Sequence, residues 1–154
     1  MDKKVLQKDE LYKSFKRVYK ESSSESLVLV CGGKDEVNMI RRYLEQKAAE
    51  DGYNLINMYG PRISAPTKRS IESVVERLSK KVAKKANQKR DVVFSSAHNP
   101  AEYNAWSDVI KKTKVKTFIF TTTAFDRYER CIDSLHIIDF TPWLFPARMF
   151  FKKP

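Results

Sequence analysis

The chain has little with which to staple itself or hold a metal. Its 154 residues include two cysteines, Cys31 and Cys131, and two histidines, His98 and His136. The cysteines stand in unrelated segments and match neither a disulfide framework nor a metal knuckle. The histidines are far apart without ligand-like neighbours, so neither a metal nor a cofactor is expected. Cys31 lies in an apolar stretch with no base beside it and reads as a small core residue, not a nucleophile. No apolar run exceeds the length of a strand, which excludes a membrane span. No apolar signal region follows Met1-Asp-Lys-Lys, so a cytoplasmic or intracellular location is expected, with no membrane partner. Apart from one serine-rich run there is no low-complexity tract, and there is no internal repeat.

What is abundant is positive charge. Thirty Lys and Arg face nineteen Asp and Glu, a net +11 with a pI near 9.6. Such an excess favours polyanionic partners, DNA or RNA before an acidic membrane surface, although it also serves a merely soluble surface. With 42% hydrophobic and 32% charged residues, the chain has the composition of one folded domain with a real core.

The rest is arranged around Leu27-Val-Leu-Val-Cys-Gly-Gly-Lys-Asp-Glu36. An apolar strand runs into a Gly-Gly turn, and Val37, Ile40, Tyr43 and Leu44 then repeat at helical spacing. Before it, Lys8 to Glu21 reads as an amphipathic helix with Leu11, Phe15, Val18 and Tyr19 on one face, followed by the linker Ser22-Ser-Ser-Glu-Ser26. After it come a helix ended by Gly52, a strand over Leu55 to Tyr59, and a long helix from about Thr67 to Asn87. That helix carries one apolar stripe of Ile71, Val74, Val75, Leu78 and Val82. A third strand over Val92 to Phe94 leads to Asn99-Pro100-Ala-Glu102, an N-cap with proline at the first helical position and an acid at the third. A fourth strand over Val115 to Thr123, a short helix near Tyr128 to Ile132 and a fifth strand over Leu135 to Phe140 complete the pattern. Alternation of this kind predicts an α/β three-layer sandwich, a mainly parallel sheet of about five strands with helices on both faces. It forms one domain: an N-terminal helix over 1–21, a core over 27–140 and an aromatic tail over 141–154.

The order of elements resembles the nucleotide-binding core of the AAA+ ATPases, closest to the first domain of the clamp-loader delta branch. The resemblance rests on Leu27 to Glu36 at the first strand and Val92-Val-Phe-Ser-Ser-Ala-His-Asn99 at the third. Lys116-Thr-Phe-Ile-Phe-Thr-Thr-Thr123 stands at the fourth, and Arg130-Cys131 precedes the fifth. It implies a P-loop NTPase-like fold and a place in DNA replication. The departures remove the chemistry. A phosphate loop needs Gly-x-x-x-x-Gly-Lys-Ser/Thr, whereas Gly32, Gly33, Lys34 and Asp35 have neither the spacing nor the hydroxyl. Ser95 and Ser96 replace the acidic pair that would hold magnesium. A degenerate, non-hydrolysing nucleotide site is therefore expected, with Asp35 capping the helix start that would otherwise hold phosphate. Val30-Cys-Gly-Gly-Lys-Asp35 also looks like the opening of a Toprim domain, but Gly32 occupies the glutamate position and no Asp-x-Asp pair follows.

Two stretches carry binding signals. Between Thr67 and Arg90 lie nine basic residues and two acidic ones, Glu72 and Glu76, so this segment alone carries +7. Arg69, Arg77, Lys80, Lys81 and Lys84 fall opposite the apolar stripe, and Lys85, Lys89 and Arg90 extend the run. This is the footprint of phosphate-backbone contact, DNA being favoured over RNA; an ordinary solvated helix face has the same look. The second is Thr141-Pro-Trp-Leu-Phe-Pro-Ala-Arg-Met-Phe-Phe-Lys-Lys-Pro154. Its prolines are expected to exclude a regular element. Trp143, Leu144, Phe145, Phe150 and Phe151 either anchor a protein partner of the replication machinery or cover a sheet edge. The expected function is a non-enzymatic nucleic-acid-binding accessory factor with no catalytic residues. The rivals are a metal-dependent or nucleotide-binding enzyme, and a structural component of a ribonucleoprotein or viral particle.

Overall fold

The computed structural model describes residues 3–21, 27–31, 34–60, 62–63, 67–121, 136–139 and 148–151. In chain order these form α1 (Lys3–Glu21), β1 (Leu27–Cys31), α2 (Lys34–Glu50), β2 (Asn54–Asn57) and α3 (Lys68–Lys85). There follow β3 (Asp91–Ser96), α4 (Pro100–Thr113), β4 (Thr117–Thr121), β5 (His136–Asp139) and β6 (Arg148–Phe151). The six strands make one sheet in the order β2-β3-β4-β1-β6-β5. β2, β3, β4 and β1 are parallel neighbours, while β6 runs antiparallel to both β1 and β5. The α/β class, the largely parallel sheet and the helices on both faces match the reading of the sequence.

Alternation along the strands builds two cores. Val28 and Val30 of β1, Val92 and Phe94 of β3, and Phe118 and Phe120 of β4 face α1 and α2, meeting Leu11, Phe15, Val18, Val37, Ile40 and Leu44. Val93 and Ile119, one residue out of phase, face the other way against α3 and α4, meeting Val75, Leu78, Val82, Tyr103, Trp106, Val109 and Ile110. Both faces of β3 and β4 are covered, which is why these strands read as continuous apolar runs.

α1 docks through a cluster of rings. Phe15, wholly buried, has its ring centroid 5.0 Å from Phe118, 5.4 Å from Tyr53, 5.9 Å from Phe94 and 5.9 Å from Tyr12. Helix ends follow local rules. Gly52, at φ +85°, closes α2: its N–H donates to Ala49 O at 3.3 Å and that of Tyr53 to Ala48 O at 3.0 Å. That is the paired bonding of a helix stopped by a left-handed residue. α3 opens on Thr67, whose hydroxyl accepts from Ser70 N at 3.1 Å while Ser70 Oγ accepts from Thr67 N at 3.0 Å.

One expectation needs correction. The aromatic tail is not free of regular structure, because Arg148–Phe151 forms β6. Pro142 and Pro146 both precede the strand, so neither removes a donor from it. β6 inserts between β1 and β5, making six strands where about five are expected. The helix expected near Tyr128 to Ile132 lies outside the described residues.

Phe15→Ala should cost about 3–5 kcal/mol in unfolding free energy, measured by urea titration. A loss below about 1 kcal/mol would mean that α1 is not part of the core. Burial, with a hydrogen bond to Asp51 at 2.6 Å, raises the Tyr12 phenol pKa, against an opposing contribution from Arg90. A group raised on folding stabilises fully below its unfolded pKa and less as pH climbs past it. Stability should therefore fall above about pH 10, and Tyr12→Phe should flatten that fall; an unchanged alkaline slope would refute the assignment.

Candidate functional site

At the carboxyl ends of the parallel strands, chain direction changes. β1 leads through α2 on one face to the far strand β2, whereas β2 and β3 lead through α3 and α4 on the opposite face back towards β1. In open α/β sheets such a reversal leaves a crevice beyond the strand ends. Here it is a cleft of about 270 Å³ lined by Lys34, Val37, Asn38, Arg41, Tyr59, Ser96, Ala97, His98, Phe120 and Thr121.

Arg41 is the centre of this cleft's wall. Although a cation, it is only 8% exposed. Its Nη2 donates to Met58 O at 2.9 Å, to Phe94 O at 3.2 Å and to Asn57 Oδ1, while Nε donates to Glu45 Oε1 at 2.8 Å. One guanidinium thus ties α2 to the carboxyl ends of β2 and β3. Its planar, fixed fork of donors suits this multiple bonding in a way an ammonium does not. The Tyr59 ring lies over it, 4.6 Å from Cζ, and Phe120 lies 5.5 Å from the same carbon.

The segment carrying Tyr59 is pinned on both sides. Met58 N donates to Phe94 O at 2.8 Å, and Ser95 Oγ donates to Gly60 O at 2.9 Å. Gly60 turns the chain at φ +92°, a conformation that a side chain disfavours. Ser95, one of the two serines that the resemblance puts in place of an acidic pair, is wholly buried and committed to that turn. Thr121 Oγ1 donates to Ala97 O at 2.7 Å, joining β4 to the end of β3.

His98 lies at the mouth, its side chain 54% exposed, with Nδ1 3.1 Å from Oε1 of Glu102. Glu102 is 2% exposed, and its carboxylate is satisfied locally. Oε1 accepts from His98 N at 3.2 Å, and Oε2 accepts from Asn99 Nδ2 at 2.7 Å. Asn99 Oδ1 in turn accepts from Glu102 N at 2.9 Å, so the expected cap is present. The sequence reading missed the His98–Glu102 pair; the spacing i, i+4 across a helix start was the available signal.

Of the four residues expected to form a degenerate nucleotide site, Lys34 and Asp35 occupy the first two positions of α2 and are exposed, whereas Gly32 and Gly33 lie outside the described residues. Asp35 therefore stands inside the first turn and not at the cap, where its charge still opposes the positive helix end. Among the described residues no group of three or more His, Cys, Asp or Glu is placed to share a metal ion. No described helix is long and apolar enough to cross a membrane.

The basic residues lie elsewhere. Arg69, Arg77, Lys80, Lys81, Lys84, Lys85, Lys89 and Arg90 are all exposed along α3 and the loop after it, while Val75, Leu78 and Val82 are buried. Two of them are also engaged within the chain. Lys80 Nζ is 3.0 Å from Glu76 Oε1; Lys80 and, at longer range, Lys112 hold that carboxyl below its usual pKa. Arg90 lies over the Tyr53 ring at 3.8 Å and donates to Asp51 O at 2.6 Å. Lys111 and Lys112 on α4 line a groove shared with Ile71, Glu72 and Val75 of α3 and with Asp108, so α4 brings two further cations beside α3, interleaved with two carboxylates. The sequence reading did not include them, because only tertiary packing brings α4 alongside.

Of the aromatic tail, Phe150 and Phe151 lie in β6, in register with Leu29 and Val28 of β1 and with Ile137 and His136 of β5. Trp143, Leu144 and Phe145 lie outside the described residues. The chain has no significant match among protein-family models, curated proteins or solved structures.

Arg41→Ala should destabilise by about 3–5 kcal/mol, since carbonyls and Glu45 would lose a buried cationic partner. Arg41→Lys should recover only part of that loss. Equal denaturation midpoints for wild type and Arg41→Ala would show that the guanidinium is not structural.

Proposed function

We propose that the chain is a non-enzymatic accessory factor that binds nucleic acid, DNA before RNA, through the phosphate backbone. Its core is AAA+-like and has lost the machinery for nucleotide hydrolysis. The observation that carries this reading is the exposed cationic face of α3. Closely spaced cations on a helix whose other side is docked act together on a polyanion by releasing its counterions. The side chains are lysine and arginine with no paired amide to read base edges, so binding is of low sequence specificity.

The non-enzymatic part of the reading rests on the carboxyl-end cleft. Ser95 holds the Gly60 turn, Thr121 joins two strand ends, and Glu102 is spent on His98 and Asn99. These side chains serve the frame of the cleft and are not arranged around a metal-bound water. A protein partner, of the replication machinery on the resemblance to clamp-loader cores, is assigned to the Trp143-Leu144-Phe145 segment. Phe150 and Phe151, expected in the same role, have their backbone in β6.

The test is binding of labelled oligonucleotides across a salt series. Wild-type affinity should fall steeply, with a logarithmic slope of about −0.9 per phosphate neutralised on duplex DNA. Replacing Lys80, Lys81, Lys84 and Lys85 together by Glu should weaken binding at least roughly tenfold and make the slope about three units shallower. Unchanged affinity in a folded variant would refute the assignment of α3.

A further inference from the structure

We propose that Tyr59 is a stacking platform for an unpaired base, which makes the carboxyl-end cleft a binding site for single-stranded nucleic acid. This rests on the reading of the chain as a nucleic-acid-binding protein, but it concerns a different surface from α3.

Tyr59 is 78% exposed, one of only two large hydrophobic side chains left exposed among the described residues. An exposed aromatic ring ordinarily samples several rotamers and loses that freedom when a ligand stacks on it. Here the ring is already placed. The Arg41 guanidinium lies against it at 4.6 Å, and Asn57 Nδ2 reaches its hydroxyl at 3.4 Å. The backbone beneath is held at both neighbours, Met58 by Arg41 and Phe94, Gly60 by Ser95. With a cation on one side and most of its surface open, the ring offers a bare π face at fixed orientation. A base can stack on such a face whatever its identity.

The surroundings suit the rest of a nucleotide. Lys34 and His98 stand at the cleft and Arg62 follows the Gly60 turn, all three exposed. They place cationic and hydrogen-bonding groups where a phosphodiester would leave the stacked base. The cleft volume, about 270 Å³, suits one small planar group and not a duplex. Stacking also needs the base to be unpaired, since in a helix both base faces are already covered. An apolar peptide anchor is less well matched at the ring itself, because the ring rests on one cation, Arg41, and a second, Lys34, stands in the same lining. Ribose and deoxyribose strands share this chemistry, and the two are separated by experiment.

The experiment uses the full chain and short single strands carrying 2-aminopurine, whose fluorescence is quenched on stacking, in deoxyribo and ribo forms, with a matched duplex as control. Wild type should quench the single strands. Tyr59→Ala should abolish the quench and weaken single-strand binding about tenfold, Tyr59→Trp should restore both, and duplex binding should stay the same in all three. Because Tyr59 is exposed, the alanine variant should keep the wild-type denaturation midpoint. Single-strand binding that is indifferent to Tyr59→Ala overturns the inference and leaves the α3 reading standing. Tyr59-dependent quenching in a four-lysine variant whose duplex and single-strand affinities are both unchanged sustains the inference and refutes the α3 reading. No binding to any oligonucleotide refutes both.

Discussion

The carboxyl end of the sheet depends on one buried cation. Arg41 projects from α2 and its Nη2 satisfies two backbone carbonyls at the ends of β2 and β3 and the Asn57 amide oxygen, while Nε donates to Glu45. A guanidinium taken out of water is costly unless it is bonded on nearly every side. That constraint works in both directions. The strand ends must stop where their carbonyls can reach it, and the loop after β2 must turn at Gly60 to keep Met58 in range. Tyr59 owes its position to that turn.

Other polar groups at this end of the sheet are committed in the same way. Carboxylate, hydroxyl and amide groups are present, but most of their bonding is turned inwards. Glu102 is the clearest case: a buried acid at a helix start, bound to the histidine before it and the asparagine that caps the helix. A carboxylate so surrounded steadies a helix end in the positive field of its amides. Charge not committed in this way lies on exposed side chains, along α3 and, at the cleft, on Lys34 and Arg62.

Much of this was legible from residue order alone. The unbroken apolar run Val92-Val93-Phe94 and the 3.6-residue stripe of Val75, Leu78 and Val82 are local signals of a buried strand and of a helix's docked face. The caps at Asn99 and Gly52 are short-range chemistry and were equally readable. What was not legible depends on tertiary neighbours. Nothing in the sequence of α2 says that Arg41 turns inwards while Arg42, one residue later, stays exposed. Lys111 and Lys112 join the α3 surface only because two helices pack together, and Tyr59 stands out only once its neighbours are buried. β6 escaped for a different reason: two prolines marked the whole tail as irregular, although proline forbids only its own position and biases the one before it.

The placement of β6 bears on how the molecule is made. Val28 pairs with Phe151, so a strand near the start of the chain waits for a partner near its other end. β5 is synthesised before β6 yet reaches the sheet only through it. During translation β1 can pair with β4 while its opposite edge stays open, and an open edge of apolar residues recruits other chains. Closing the sheet from β1 outwards is therefore a long-range event, slow relative to the βαβ units that precede it. A chain cut before Arg148 would leave the outer edge of β1 unpaired and open to strands of other chains.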